Sequence, residues 1–302
     1  MNNVQLFILP GNEELALELC GLLDFDMGKA TIRRFPDGET YLNVESDVRG
    51  AEIYVLASLY QPDDKFLPLY FLCRTLKELG AYSVKLIAPY LAYMRQDKRF
   101  NPGECITSDL FARLLSGFID ELITIDPHLH RHHSMGELYT IPVKVLHASR
   151  VISEWIKINI PKAILVGPDE ESKQWVSGVA KEADKPFIVL QKVRKGDRNV
   201  SIQVPDVSQW ANYTPVLIDD IISTARTMIE TIGHLQNAGF REVICIGVHG
   251  IFSGDAYKEL IQTGAMVFTT TSVPHQSNNI SIARLIANAI SSPVQLNRHE
   301  ND

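Results

Sequence analysis

Cysteine is scarce in this chain: four residues in 302, at positions 20, 73, 105 and 245, with no C-x-x-C pair among them. Spacing that wide points to neither a disulfide framework nor a cysteine zinc site, and it fits a reduced, cytoplasmic setting. No run of roughly 18 apolar residues occurs, so no membrane-spanning helix is expected. The opening Met1-Asn2-Asn3-Val4-Gln5 lacks the basic region and apolar stretch of an export signal. Positive charge is also in deficit. With 29 Lys and Arg against 36 Asp and Glu the formal charge is -7, which argues against nucleic acid or an anionic membrane as a general partner. Neither G-x-x-x-x-G-K-[ST] nor G-x-G-x-x-G is present, so a nucleotide is not expected on a P-loop or a kinase-type glycine loop, and there is no H-E-x-x-H zinc pattern.

What is present is a regular alternation. Hydrophobic residues make up 45% of the chain, ample for real cores, and the length suggests about two domains. Short apolar runs expected as strands lie at 6–9, 31–35, 41–44, 52–57, 84–88 and 122–126, with helical periodicity at 13–23, 64–79 and 108–118. Gly80 is placed to end the second helix as a C-cap. The rhythm restarts after Ile141-Pro142, with helices at 148–158, 171–183, 227–237, 254–263 and 280–290 and strands at 163–166, 187–190, 216–218, 243–248 and 266–270. Strands alternating with helices predict an α/β protein of two domains, 1–145 and 146–302, each a mostly parallel sheet flanked by helices. Such sheets bind ligands beyond the carboxyl ends of their strands, and each motif below falls at one.

The stretch 216–228 organises the rest. Val216, Leu217 and Ile218 form an apolar run, Asp219 and Asp220 close it, Ser223-Thr224-Ala225-Arg226-Thr227 reads as a turn, and apolar residues return at 228, 229, 232 and 235 with helical spacing. A loop of hydroxyls at a helix start stands beside unpaired N–H groups, which suits a phosphate ester. Carboxylates accept hydrogen bonds from a diol and also approach magnesium. The stretch reads either as a sugar-phosphate cradle or as a buried strand with a solvated acidic turn and a Ser/Thr helix cap.

These residues resemble the phosphoribosyl-diphosphate loop of the type I phosphoribosyltransferase fold. With four other ordered motifs, the chain resembles the ribose-phosphate diphosphokinase family over about residues 5–290. The resemblance implies that Asp219 and Asp220 hold the ribose 2- and 3-hydroxyls and that Ser223, Thr224, Ala225, Arg226 and Thr227 hold the 5-phosphate. Ser223 stands where an acid is common in the family, and Arg226 where a glycine is common. Two readings of Arg226 stand open: a forked donor to the phosphate, or strain of about 1–2 kcal/mol if a left-handed backbone is needed there.

Phe35-Pro36-Asp37-Gly38-Glu39 by itself is a hairpin-like turn; the resemblance makes Asp37 and Glu39 contacts to the adenine or ribose of ATP. In Pro89-Tyr90-Leu91-Ala92-Tyr93-Met94-Arg95-Gln96-Asp97-Lys98-Arg99 it makes Arg95 and Gln96 ATP contacts, with Arg95 near the phosphates. Asp126-Pro127-His128-Leu129-His130-Arg131-His132-His133 is the densest histidine cluster. Alternating histidines raise zinc as a reading, but a catalytic zinc usually adds a distant ligand. By resemblance His128 is a magnesium-associated histidine, while His130 to His133 depart from the family and are expected as plain surface. Asp169, in Gly167-Pro168-Asp169-Glu170-Glu171-Ser172, matches a second metal-linked acid; Glu170 and Glu171 read as charges favouring a helix start. Lys192-Val193-Arg194-Lys195-Gly196-Asp197-Arg198 is a solvated basic turn or a catalytic flap, and Lys192 and Arg194 match the family's catalytic Lys-x-Arg. His249-Gly250-Ile251-Phe252-Ser253 also matches and reads as structural support.

The function so implied is transfer of the diphosphoryl group of magnesium ATP to the 1-hydroxyl of ribose 5-phosphate, in a cleft between two related domains of a cytoplasmic homo-oligomer. Mg2+ is the implied cofactor. Two rivals remain. A phosphoribosyltransferase shares the loop at 216–228 but needs neither 35–39 nor 95–96, and a non-catalytic regulatory homologue has no need of His128, Asp169, Lys192 and Arg194.

Overall fold

A computed structural model describes residues 3–129, 131–168, 170–195, 199–203 and 208–292. Asp169, His130, Gly196 and the polar tail from 293 lie outside the described residues, as do the side chains of Lys192 and Arg194.

The first half opens with β1 (Val4–Ile8) and α1 (Glu13–Leu23), whose Leu15, Ala16 and Leu19 share one buried face as helical periodicity requires. Then follow β2 (Asp26–Met27), the antiparallel pair β3 (Ala30–Arg34) and β4 (Thr40–Val44), β5 (Glu52–Leu56), α2 (Asp63–Glu78), β6 (Ser83–Ala88), α3 (Thr107–Ser116), β7 (Glu121–Ile125) and β8 (Val143–Leu146). Gly80 ends α2 as expected: with φ at 94° its N–H reaches the Lys77 carbonyl at 3.0 Å, and that of Ala81 reaches Leu76 at 3.1 Å. The second half runs α4 (Ser149–Asn159), β9 (Ala163–Gly167), α5 (Lys173–Ala183), β10 (Phe187–Val189), the antiparallel pair β11 (Gln191–Lys195) and β12 (Asn199–Gln203), β13 (Thr214–Ile222), α6 (Arg226–Asn237), β14 (Ile244–Gly250), α7 (Ala256–Gln262), β15 (Met266–Thr270), β16 (Asn278–Ile280) and α8 (Ala283–Ser291).

The strands form two six-stranded sheets, β2-β1-β5-β6-β7-β8 and β10-β9-β13-β14-β15-β16, and the pairing inside each is parallel. The expected α/β fold of two parallel sheets flanked by helices is therefore what the chain adopts. The order is the same in both sheets, and each half inserts a two-stranded ribbon after its second strand. Three edge strands, β2, β8 and β16, were not expected. They are short, and Asp-Met or Asn-Asn-Ile carries no apolar run from which a strand is legible. β13 also runs past the expected end at Ile218, so Asp219 and Asp220 lie within the strand, with Asp219 opposite Gly247. A Cβ at Gly247 would meet the Ile222 side chain at 2.6 Å, so a larger residue there would have to displace that side chain.

One core is shared and two are private. Leu6, Tyr54 and Ile123 of the first sheet join Leu165, Val216 and Ile246 of the second in a common cluster. The outer faces bury Phe7, Val55 and Leu72 in the first half, and Leu217, Ile232 and Leu260 in the second. Across the common core, α8, which ends the second half, packs on α1 of the first, while α4, which follows the last strand of the first sheet, packs on α5 beside the second sheet. Among the described residues no helix is long and apolar enough to cross a membrane.

Candidate active site

Parallel pairing puts the carboxyl ends of a sheet's strands on one edge, and contacts between the halves join the two such edges. β7 gives way at Asp126, a left-handed residue with φ at 36°. Its carboxylate accepts the Ala148 N–H at 2.9 Å and lies 2.8 Å from His147 Nδ1. Two residues on, His128 Nδ1 lies 3.1 Å from Asp220 Oδ2 on β13, in the other half. Beneath this contact His249 of β14 is buried at 1% exposure, with Nε2 3.1 Å from the Ile125 carbonyl and Nδ1 2.9 Å from Ser272 Oγ. Burial holds this imidazole's pKa down. A carbonyl only accepts, so Nε2 carries the proton of the neutral ring. Ser58, just past β5, donates to the Ser272 carbonyl at 2.5 Å, a second polar tie between the halves.

The loop 223–227 is clamped from behind. Ile251 and Phe252 N–H both donate to the Ile222 carbonyl, and Ser253 N–H donates to the Ser223 carbonyl, each at 3.0 Å. The segment 249–253 is thus the structural support expected of it. Ala225 is the left-handed residue of the loop, with φ at 57°, and Arg226 opens α6 in ordinary helical backbone. The reading of Arg226 as a strained glycine substitute is corrected accordingly: the left-handed turn falls one residue earlier. Ala225 has no side-chain oxygen, so the helix start carries no side-chain cap, and its first N–H groups are left for an anion. Thr224, Arg226 and Thr227 are exposed around that start.

The loops expected to meet a nucleotide fall in two places. Asp37 and Glu39 sit at the exposed tip of the β3–β4 ribbon, in a turn closed by Gly38 N–H on the Phe35 carbonyl at 2.9 Å. They line a cavity of about 670 Å³ together with Asp63, Asp64 and Leu67 of α2. The loop after β6 is pinned separately: the Tyr93 hydroxyl bonds to the Asp63 carboxylate, Thr107 Oγ1 donates to the Tyr93 carbonyl at 3.2 Å, and Ser108 N–H donates to the Gln96 carbonyl at 3.4 Å. Tyr90 stands edge-on to His249 with ring centroids 5.0 Å apart. Burial raises the pKa of its hydroxyl, Arg95 pulls it down and Asp220 pushes it up, so both charges lie within electrostatic reach of Tyr90. The structure therefore gathers Tyr90, His249, His128, Asp219 and Asp220. Among the described residues no hydrogen bond or ion pair joins Asp37 or Glu39 to Arg95 or Gln96.

Asp220 is held ionised. Burial raises its pKa, but hydrogen bonds with His128 and with the Ile221 N–H at 2.8 Å outweigh that and bring it below the usual carboxylate range. Magnesium is commonly held by one or two carboxylates plus substrate phosphates, retaining water, and needs no all-protein cage. The adjacent acids Asp219 and Asp220 fit that demand. His128 is engaged with Asp220 through Nδ1 at 3.1 Å. In the histidine loop, His132 Nδ1 at 3.1 Å and the His133 N–H at 3.2 Å both turn to Glu137. Arg131 departs from its expected role as plain surface, with Nη1 2.6 Å from Asp97 Oδ1. Nothing in the sequence signals that pairing, since charged residues 34 positions apart each read as solvated.

Known proteins are similar to this chain across both halves. The N-terminal domain of ribose phosphate pyrophosphokinase matches residues 4–118, and the phosphoribosyl transferase domain matches residues 134–284. A ribose-phosphate pyrophosphokinase of Methanobrevibacter smithii is 30% identical over 292 residues, covering 92% of this chain and 97% of its own. That of Bacillus subtilis is 29% identical over 299 residues, covering 95% and 93%. The crystal structure of phosphoribosylpyrophosphate synthetase from Mycobacterium smegmatis superposes with a TM-score of 0.82 at 27% identity, over 96% of this chain and 98% of that one.

Proposed function

The chain belongs to the ribose-phosphate pyrophosphokinase family, and on that footing we propose that it transfers the diphosphoryl group of ATP to the 1-hydroxyl of ribose 5-phosphate, forming phosphoribosyl diphosphate and AMP. The observation that carries this reading is the 3.1 Å contact of His128 with Asp220, which sets the end of one sheet against the sugar strand of the other. In the reaction the 1-hydroxyl oxygen bonds to the β-phosphorus as the bond from that phosphorus to the α,β-bridging oxygen breaks. AMP leaves with the electron pair, and the hydroxyl proton is released.

Such a transfer asks chiefly for positioning and charge neutralisation. Residues 1–145 serve the nucleotide: Arg95 and Gln96 take ATP, with Arg95 at its phosphates, and Asp37 and Glu39 take the adenine or ribose. Residues 146–302 serve the sugar. Asp219 and Asp220 accept hydrogen bonds from the 2- and 3-hydroxyls, and Ser223, Thr224, Ala225, Arg226 and Thr227 hold the 5-phosphate on the uncapped start of α6. Lys192 and Arg194, two residues apart on the β11–β12 ribbon, offset the charge that develops on the transferred oxygens. His128, Asp169 and the neighbouring acids would hold Mg2+, which neutralises phosphate charge when bound.

The test is direct: purified protein, ATP, ribose 5-phosphate and Mg2+ should yield AMP and phosphoribosyl diphosphate in equal amounts. Chelator should stop the reaction, and Mg2+ or Mn2+ should restore it. No AMP under these conditions would remove the reading and leave a non-catalytic homologue. AMP or another nucleotide appearing only when phosphoribosyl diphosphate and a base are supplied would mark a phosphoribosyltransferase. The same reading makes the protein a cytoplasmic homo-oligomer, which sedimentation of the native chain checks.

A further inference from the structure

His128 and Arg131, three residues apart in the chain, each meet an acid from another element of the candidate site. At one end His128 meets Asp220. At the other, Arg131 Nη1 lies 2.6 Å from Asp97 Oδ1, and the Asp97 side chain is 4% exposed while that of Arg131 is 44% exposed. An acid so withdrawn from water depends on its partner, and a guanidinium supplies both the charge and a fixed fork of donors. The same guanidinium lies 5.5 Å from the ring centroid of Phe100, with the Lys98 ammonium 4.9 Å from that ring.

Asp97 directly follows Arg95 and Gln96. The loop that carries them is tied at Tyr93 to Asp63 and Thr107, at the Gln96 carbonyl to Ser108, and beyond Arg99 through Phe100 and Asn101 N–H groups on Glu104, at 2.8 and 3.1 Å. Those last bonds are internal to the loop. The Asp97–Arg131 pair ties its stretch between Gln96 and Phe100 to the neighbouring loop after β7. We infer that Arg131 is a positioning residue: through the buried Asp97 carboxylate it fixes the loop 89–99 so that Arg95 and Gln96 face the nucleotide. What those two residues bind rests on the proposed function; that the loop is held by this pair does not.

The experiment compares Arg131→Ala, Arg131→Lys, Asp97→Asn and the double variant Arg131→Ala/Asp97→Asn with the native chain. Arg131→Ala should raise the Michaelis constant for ATP, and the dissociation constant for its β,γ-imido analogue, by about tenfold or more, because it strands a buried carboxylate beside the binding residues. The constant for ribose 5-phosphate should stay within about twofold. Backbone amides 94–100 should exchange faster in the absence of ligand, and Arg131→Lys should recover part of both effects. Asp97→Asn added to Arg131→Ala should recover most of the loss, since an amide needs no counter-charge. Unchanged exchange and nucleotide affinity in Arg131→Ala would overturn the inference, as would equal losses for both substrates or a double variant no better than Arg131→Ala. If the native chain forms no AMP, the exchange arm decides alone: faster exchange rescued by Asp97→Asn upholds the positioning role, and native-like exchange in Arg131→Ala sinks it.

Discussion

The loop after the third strand of each sheet occupies the same place in the topology and does opposite work in the two halves. In the first half β5 leads through Gln61, left-handed at φ 49°, into α2; in the second β13 leads through Ala225, left-handed at φ 57°, into α6. Each turn uses one left-handed residue, at the N-cap of α6 and one position before that of α2, and the chemistry around them differs. The first loop follows Ala57 and Ser58 and is closed from within: Lys65 donates to the Ser58 carbonyl at 2.8 Å and lies 3.2 Å from the ring centroid of Tyr60. The second follows Asp219 and Asp220 and turns exposed threonines and an uncapped helix start outward. The inserted ribbons diverge likewise, the first tipped by Asp37 and Glu39, the second carrying Lys192 and Arg194. Neither helix start has a side-chain cap; what differs is the side chains around it, a lysine packed on a tyrosine ring in the first loop and exposed threonines in the second.

The widest separation should come from the ribbons. Lys192→Ala should lower turnover by about 10²- to 10³-fold with the ribose 5-phosphate constant nearly unchanged, as expected of a group serving the transition state. Asp37→Ala on the matching ribbon should instead raise the ATP constant while leaving most of the turnover. Steady-state kinetics on the two variants checks both, and identical profiles would dissolve the contrast between the ribbons.

Next come the loops. Arg226→Ala should raise the ribose 5-phosphate constant about ten- to a hundredfold, the worth of a charge-assisted hydrogen bond, with little effect on ATP. Because Arg226 is in ordinary helical backbone, Arg226→Gly should also cost up to about 1 kcal/mol of stability in thermal denaturation rather than relieve strain. Unchanged sugar binding in both variants would reduce Arg226 to a solvated side chain.

In the first half the counterpart is a pH effect. Burial lowers the Lys65 pKa to about 8, below the ordinary lysine value of about 10.4 in the unfolded chain. Between those values the unfolded state binds more protons, so this group makes stability rise with pH; below about pH 8 the folded state bears the full cost of a buried ammonium. Lys65→Met should therefore compare best with the native chain at pH 7 and lose ground by pH 9.5, as read by denaturant midpoints. A difference independent of pH would remove Lys65 as a buried cation.

The smallest effect tests the two turns themselves. Gln61→Gly and Ala225→Gly each relieve one left-handed residue and should stabilise by about 0.4–1 kcal/mol, the gain at Ala225 being reduced by the loss of its buried methyl. A gain at one position and a clear loss at the other would show that the turns are not equivalent.

Local signals carried most of the fold. α1 and β15 begin and end where apolar spacing and flanking turns place them, and Gly80 caps α2 because a left-handed C-terminal residue favours glycine. Such signals act within a window of about ten residues, so they do not reach the short edge strands β2, β8 and β16, which exist because a neighbouring strand offers unpaired backbone groups.

By itself, then, the sequence determined the α/β rhythm and the order of the motif loops, because periodicity and turn chemistry are written in neighbouring residues. Tertiary structure decided the rest: the packing of α8 on α1 across a shared core, the left-handed turn at Ala225 rather than Arg226, and the ties of His128 to Asp220 across 92 positions and of Arg131 to Asp97 across 34. The physical reason is that a charged side chain has the same local signature whether water or a distant partner surrounds it, and only the tertiary packing of loops and sheets determines which of the two it meets.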